Sequence, residues 1–280
     1  MAKVKIACDS SAGLTDEEIQ KYNITIIPLS VMIDDTVYVE RETITNEQFP
    51  AMMKVAKALP KTSQPPIGKF VDAFDRLGAD GSEVLCVTMM ASISGTVHAA
   101  EQAAQMTKTK VTVVDCQSTD RGMAFQILAA AKVIEAGGTL EEAVAKMATV
   151  RDHSKLYLAI DNLDNLVAGG RISKFAGTLS SLLNIKLMLE VYDGQIHIAM
   201  KGRGIKAIHK EWDKILAQMK AKQVKAIGIS HVQADREVAR LKEQLQSLFP
   251  EIPVVVRETV PIIATHTGMG ACCLLYYTED

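Results

Sequence analysis

Short, β-branched apolar runs alternate with helix-period segments through the first half of this 280-residue chain, and nothing else limits its fold as strongly. Lys3–Cys8, Ile24–Ile33, Glu83–Thr88 and Thr112–Asp115 have strand composition. Thr15–Tyr22, Asn46–Ala58, Ile67–Leu77, Gly95–Met106 and Gly122–Ala136 repeat apolar residues at helical spacing, and the last stops at Gly137-Gly138. Strands that are apolar on both faces and separated by helices predict a parallel sheet covered on both sides. Thr139 and Glu142, three positions apart, open a further helix as a capping box.

The second half follows another pattern. Leu156–Ile160 reads as a strand and Asp161–Ala168 as a helix. Leu187–Tyr192 and Gln195–Met200 flank Asp193-Gly194, a strong hairpin signal, so antiparallel strands are expected here. Gly204–Met219 and Gln233–Phe249 are amphipathic; Val224–Ser230, Val254–Glu258 and Ala271–Tyr277 look like strands. The expected architecture is α/β in two domains. Residues 1–155 form a mainly parallel sheet flanked by helices, and residues 156–280 form an α/β domain with antiparallel strands.

Composition narrows the function. The net charge is −2 and no basic arm is present, which argues against a nucleic-acid partner. No apolar run is long enough to span a membrane, and Met1–Ile6 reads as a strand rather than a signal peptide, so a cytoplasmic location is expected. Cys8, Cys86, Cys116, Cys272 and Cys273 lack CxxC spacing and sit mostly in apolar runs, as buried free thiols do. There is no Walker loop, no Gly-x-Gly-x-x-Gly after the first strand and no metal-ligand spacing, so neither a cofactor nor a metal is expected.

Hydroxyl-rich loops supply the candidate site. Pro65 and Pro66 fix φ and push the preceding residues extended, so Thr62-Ser63-Gln64 should form a rigid ledge of neutral donors. Ser92-Ile93-Ser94-Gly95-Thr96 follows a strand and precedes a helix, where Ser94 can cap the helix and the first-turn amides can face an anion. Asp9-Ser10-Ser11 lies just past the first strand, at the carboxyl end where open parallel sheets bind ligands. Gly169-Gly170 stop a helix and leave Arg171 on a tight turn, placed to pair with a carboxylate or phosphate. His266 and Thr267 precede the glycine turn Gly268-Met269-Gly270. Each motif also has a plain reading as a cap, a turn or a solvated arginine. Ser94 and His266 can further be read as a nucleophile–base pair oriented by Asp9 or Asp115, that is, an acyl hydrolase or transferase. Ser94 sits in Ser-Gly-Thr, however, not in a Gly-x-Ser-x-Gly elbow. The 13 methionines are either ordinary core or the lining of an adaptable apolar channel.

By these residues the chain resembles the DegV family of bacterial lipid-binding proteins over nearly its whole length. Asp9-Ser10-Ser11-Ala12, Thr62-Ser63-Gln64-Pro65, Ser92–Thr96, Gly169–Ser173 and His266-Thr267-Gly268 fall in family order. Pro66 stands where a small residue is commoner, and Met269 where the family's turn has proline. The resemblance implies a long-chain fatty acid held between or beside two α/β domains. Thr62, Ser94 and His266 would lie around its carboxylate, with Arg171 near the mouth, and Ser63, Gly95 and Thr267 would join them in binding the ligand. It also implies no catalysis by the chain alone. Some family members carry the acyl group for a separate fatty acid kinase, in fatty acid metabolism and phospholipid synthesis. Arg203 resembles a position associated with docking that kinase.

Overall fold

In the computed structural model, residues 3–160, 163–171 and 185–279 are described. The first half runs β1 (Val4–Asp9), α1 (Asp16–Tyr22), β2 (Thr25–Ile27), β3 (Ser30–Ile33), β4 (Thr36–Val39), α2 (Phe49–Val55), β5 (Lys61–Ser63), α3 (Ile67–Gly78), β6 (Glu83–Thr88), α4 (Thr96–Met106), β7 (Val111–Asp115), α5 (Asp120–Glu135) and α6 (Leu140–Asp152). The expected parallel sheet forms in the order β2-β1-β6-β7. Thr139 and Glu142 make the capping box that opens α6.

The expected strand Ile24–Ile33 is two strands. Pro28 has no amide hydrogen for a ladder, and the chain divides there. β2 joins the parallel sheet, while β3 leaves it to pair antiparallel with β4 and β5 in a separate small sheet. The ledge around Thr62 is thus the strand β5, with Thr62 opposite Val31.

The second half runs β8 (Ser154–Ile160), α7 (Asp164–Ala168), β9 (Ile185–Tyr192), β10 (Gln195–Arg203), α8 (Ile205–Lys220), β11 (Val224–His231), α9 (Asp235–Leu248), β12 (Val254–Glu258), α10 (Pro261–Thr267) and β13 (Cys272–Thr278). Its six-stranded sheet has the order β10-β9-β8-β13-β11-β12, antiparallel except for β11 with β12. The hairpin turn is at Asp193-Gly194, both in the left-handed region at φ 49° and 64°. His266 lies within α10, a helix of seven residues. Asp161 and Asn162, which begin the expected helix before Gly169, and Ile172-Ser173 lie outside the described residues.

Helix α5 joins the two halves. Helices α3 and α4 cover one face of the parallel sheet with Phe70, Phe74 and alanines. On its other face, Met123, Ala124 and Ile127 of α5 pack against Ile6, Cys8, Leu85 and Val87. Phe125 and Ala129 turn the opposite way, onto Leu156, Val191 and Leu275 of the mixed sheet. Helices α8 and α9 close that sheet's far face through Trp212, Leu216 and Leu241. A helix apolar on all sides is one buried on all sides, and α5 has buried residues at nearly every position from Asp120 to Ala131. Its N-terminus therefore opens into the interior between the sheets. Among the described residues no helix is long and apolar enough to cross a membrane.

Candidate functional site

A cavity of about 350 Å³ lies at that junction, within the roughly 300–1,000 Å³ range of small-molecule sites. Its floor is the inner face of the mixed sheet. Strand register puts Leu189, Leu158, Cys273 and Ser230 in one row across β9, β8, β13 and β11. Leu156, Val191 and Ile196 continue that floor, and Met89, Met90, Ile93, Leu166 and Ile262 enclose it. The apolar part of the lining is chiefly leucine, isoleucine and valine. Two methionines reach it, so most of the thirteen belong elsewhere.

Thr62, Ser63, Ser94, Gly95, Arg171, His266 and Thr267 all line this cavity, although they come from four separate segments. Thr62 Oγ1 is 2.9 Å from His266 Nε2. A Cβ on Gly169 would sit 2.1 Å from His266 Nδ1, so only glycine there lets α7 close over the imidazole. Similarly, a Cβ on Gly95 would meet Gln64 Oε1 at 2.5 Å, so the ledge and the Ser94 loop interlock at that glycine. Arg171 is exposed and ties two of these segments together, Nη1 donating to Gly169 O at 2.6 Å and Nε to Ile93 O at 3.3 Å.

Burial, reinforced by the Arg171 guanidinium, pushes the His266 imidazole down to about 4, so it is neutral near pH 7. Nδ1 is buried without a hydrogen-bond partner among the described residues. With its proton on Nε2, the imidazole donates to Thr62 and leaves the threonine O–H free to donate into the cavity. Ser94 Oγ is 2.7 Å from Thr96 Oγ1 and accepts weakly from the Thr96 amide at 3.3 Å. The cap position of α4 is Gly95, not Ser94, and no side chain caps the helix. Thr267 differs from the others because its hydroxyl donates back to Ile263 O within α10.

Among the described residues no hydrogen bond joins Ser94 to His266. Asp9 is fully buried and accepts from the Ser11 amide and hydroxyl and the Met89 amide, while Asp115 accepts from the amides of Ala91 and Gln117. Asp9 thus fastens the end of β1 to the end of β6. Arg203, the last residue of β10, is exposed and does not line the cavity. All five cysteines are buried and free, and the described residues hold no cluster of metal ligands.

Sequence reasoning missed the other polar groups. Glu40 is 1% exposed and accepts from Ser10 Oγ and from the Ile262 amide, in the first turn of the helix that carries His266. Thr119, Asp120, Ser230 and Thr259 line the cavity as well. Thr119-Asp120 follows a strand and precedes a helix, the same signal that singled out Ser94.

Residues 3–279 match the DegV family, described as uncharacterised proteins. A DegV domain-containing protein of Streptococcus pneumoniae is 41% identical over 275 residues, covering 98% of each chain. Another from Listeria monocytogenes is 42% identical over 284 residues, covering all of both. Among solved structures, DegV from Bacillus subtilis, described as a fatty acid binding protein, superposes with a TM-score of 0.90 at 26% identity, over 99% of this chain and 100% of its own. A DegV family protein from Thermus thermophilus, described by its fatty acid binding, gives 0.85 at 28% identity over 99% of each chain. With its two α/β sheets and hydroxyl-lined cavity, this chain belongs to the DegV family.

Proposed function

We propose that this protein is a cytoplasmic carrier of a long-chain fatty acid, which it presents to a separate fatty acid kinase. One observation carries the reading: an aliphatic cavity with a cluster of neutral polar groups, Thr62, Ser94 and His266, at one part of its wall. The alkyl chain supplies affinity, roughly 0.8 kcal/mol per buried methylene and on the order of 10 kcal/mol for a long chain before ordering costs. Hydroxyls then direct the carboxylate without the desolvation cost of a fully buried ion pair. Arg171, exposed at the rim, supplies a positive charge near the head group. Arg203, exposed and away from the cavity, is the proposed docking residue for the kinase.

Mass spectrometry of an organic extract of the purified protein is the direct test, and about one acyl chain per protein is expected. An extract without acyl species, together with no uptake of added fatty acid, overturns the reading. The kinase step is tested with the host's own kinase. Arg203→Ala should abolish acyl-phosphate formation and leave fatty acid titrations at the wild-type value, because a rim charge governs encounter while buried apolar area governs lipid affinity. Acyl-phosphate formation at the wild-type rate would remove Arg203 from docking.

A further inference from the structure

Away from the Thr62–His266 pair, the cavity wall carries a hydroxyl that a plain alkyl chain leaves unused. Thr119 is 8% exposed and lines the cavity, and its Oγ1 is buried with no hydrogen-bond partner among the described residues. It sits at the cap position of α5, where a threonine ordinarily accepts from an amide of the first turn. That bond is absent, and the Arg121 amide of the first turn donates instead to Asp120 Oδ1 at 2.8 Å. The same carboxylate also accepts from Ser230 Oγ at 2.6 Å and from Thr259 Oγ1. Asp120, Ser230 and Thr259 therefore satisfy one another, and Thr119 alone of this group keeps both its donor and its acceptor open.

Around Thr119 the lining changes character. The row that begins at Leu189 and Leu158 passes through Cys273 to Ser230, so the floor turns polar on the β11 side. An unsubstituted acyl chain laid there leaves a buried hydroxyl unpaired, which is unfavourable, and gains nothing in return. A chain carrying its own hydroxyl or keto group pairs with it. Sites built to bond a substrate hydroxyl discriminate against the analogue that lacks one.

Resting on the fatty-acid reading above, we propose that the preferred occupant is an acyl chain bearing a hydrogen-bonding substituent, in the simplest case a hydroxy fatty acid, and that Thr119 selects it. The test titrates delipidated protein with octadecanoic acid and with its positional hydroxy isomers. At least one isomer should bind about ten-fold more tightly than the parent, the gain of one good hydrogen bond. Thr119→Val should collapse that ratio and Thr119→Ser should keep it. A parent acid that binds as tightly as every isomer overturns the proposal, as does a Thr119→Val protein with the wild-type ratio. If Thr119→Val does not fold, the wild-type ratio alone decides. Binding of neither the parent nor any isomer overturns the fatty-acid reading itself, a separate result from parent binding without preference.

Discussion

At one place on the cavity wall, Thr62, Ser94 and His266 arrive from three elements with hydrogen-bonding capacity left over; at another, Asp120 gathers Ser230, Thr259 and the Arg121 amide until its carboxylate is filled. Both groups are polar and both touch the same apolar space. The first can serve a ligand because the imidazole donates to Thr62 and leaves the threonine O–H free to point into the cavity. The second holds the fold because its donors are committed to that carboxylate. Composition does not tell these roles apart, and satisfaction of hydrogen bonds does.

The comparison breaks most easily at Asp120. It is 4% exposed, sits at φ 50°, and is the acceptor through which α5 is fastened to β11 and to the residue after β12. It also offsets the cost of burying the Arg257 guanidinium. Asp120→Ala should reduce unfolding free energy by about 3–5 kcal/mol, as other losses of a buried, hydrogen-bonded charge do. Denaturant titration measures this, and a loss below about 1 kcal/mol would show that the network does not hold the two sheets together.

On the ledge the expected losses fall on affinity instead. Thr62→Ala and Ser94→Ala should each weaken fatty acid binding by roughly ten-fold or more, the effect of losing one bond of about 1.5–3 kcal/mol to a charged acceptor. Calorimetric titration of each variant checks this, with circular dichroism to confirm the fold. Wild-type affinity in both would leave these hydroxyls as turn and helix-start residues with no part in recognition.

Much of the fold and of the candidate site is legible in the sequence. The parallel sheet, the hairpin at Asp193-Gly194 and the hydroxyl-rich loops all follow from local signals of a few residues. What stayed hidden depends on distant pairing. β5 is three residues long and is a strand only because β3 leaves the main sheet at Pro28 to meet it. α10 is too short to show a helical period, so the sequence marks only a segment before a glycine turn. Glu40 stands in the run Val39-Glu40-Arg41-Glu42, where a solvated carboxylate is the ordinary expectation, yet the chain folds it under α10. Thr119 and Asp120 had the right signal, but which of them is committed to the fold emerges only from partners 110 and 139 residues away from Asp120.

Glu40 sharpens the comparison through its pH dependence, because it belongs to the fold and yet supports the helix that carries His266. Its carboxyl is committed to the fold, accepting from Ser10 Oγ at 2.5 Å and the Ile262 amide at 2.7 Å, and what it holds is the helix bearing His266. Burial raises it from an ordinary 4.5 to about 7; the nearby Asp9 adds to the rise, and Arg257 and the two hydrogen bonds oppose it. Between those values the unfolded carboxyl has lost its proton while the folded one keeps it. Its contribution to stability is therefore complete below about pH 4.5 and is lost as pH rises toward 7. Glu40→Gln keeps an acceptor for the Ile262 amide and cannot ionise. The variant should gain on the wild type as pH rises from 4.5 to 7, by at most the slope of one proton, and the two curves should run parallel above that window. Denaturation midpoints taken across the window measure it. Curves that stay parallel throughout would mean that Glu40 ionises beneath α10 as readily as in the unfolded chain, with Ser10 and the Ile262 amide offsetting the cost of its burial.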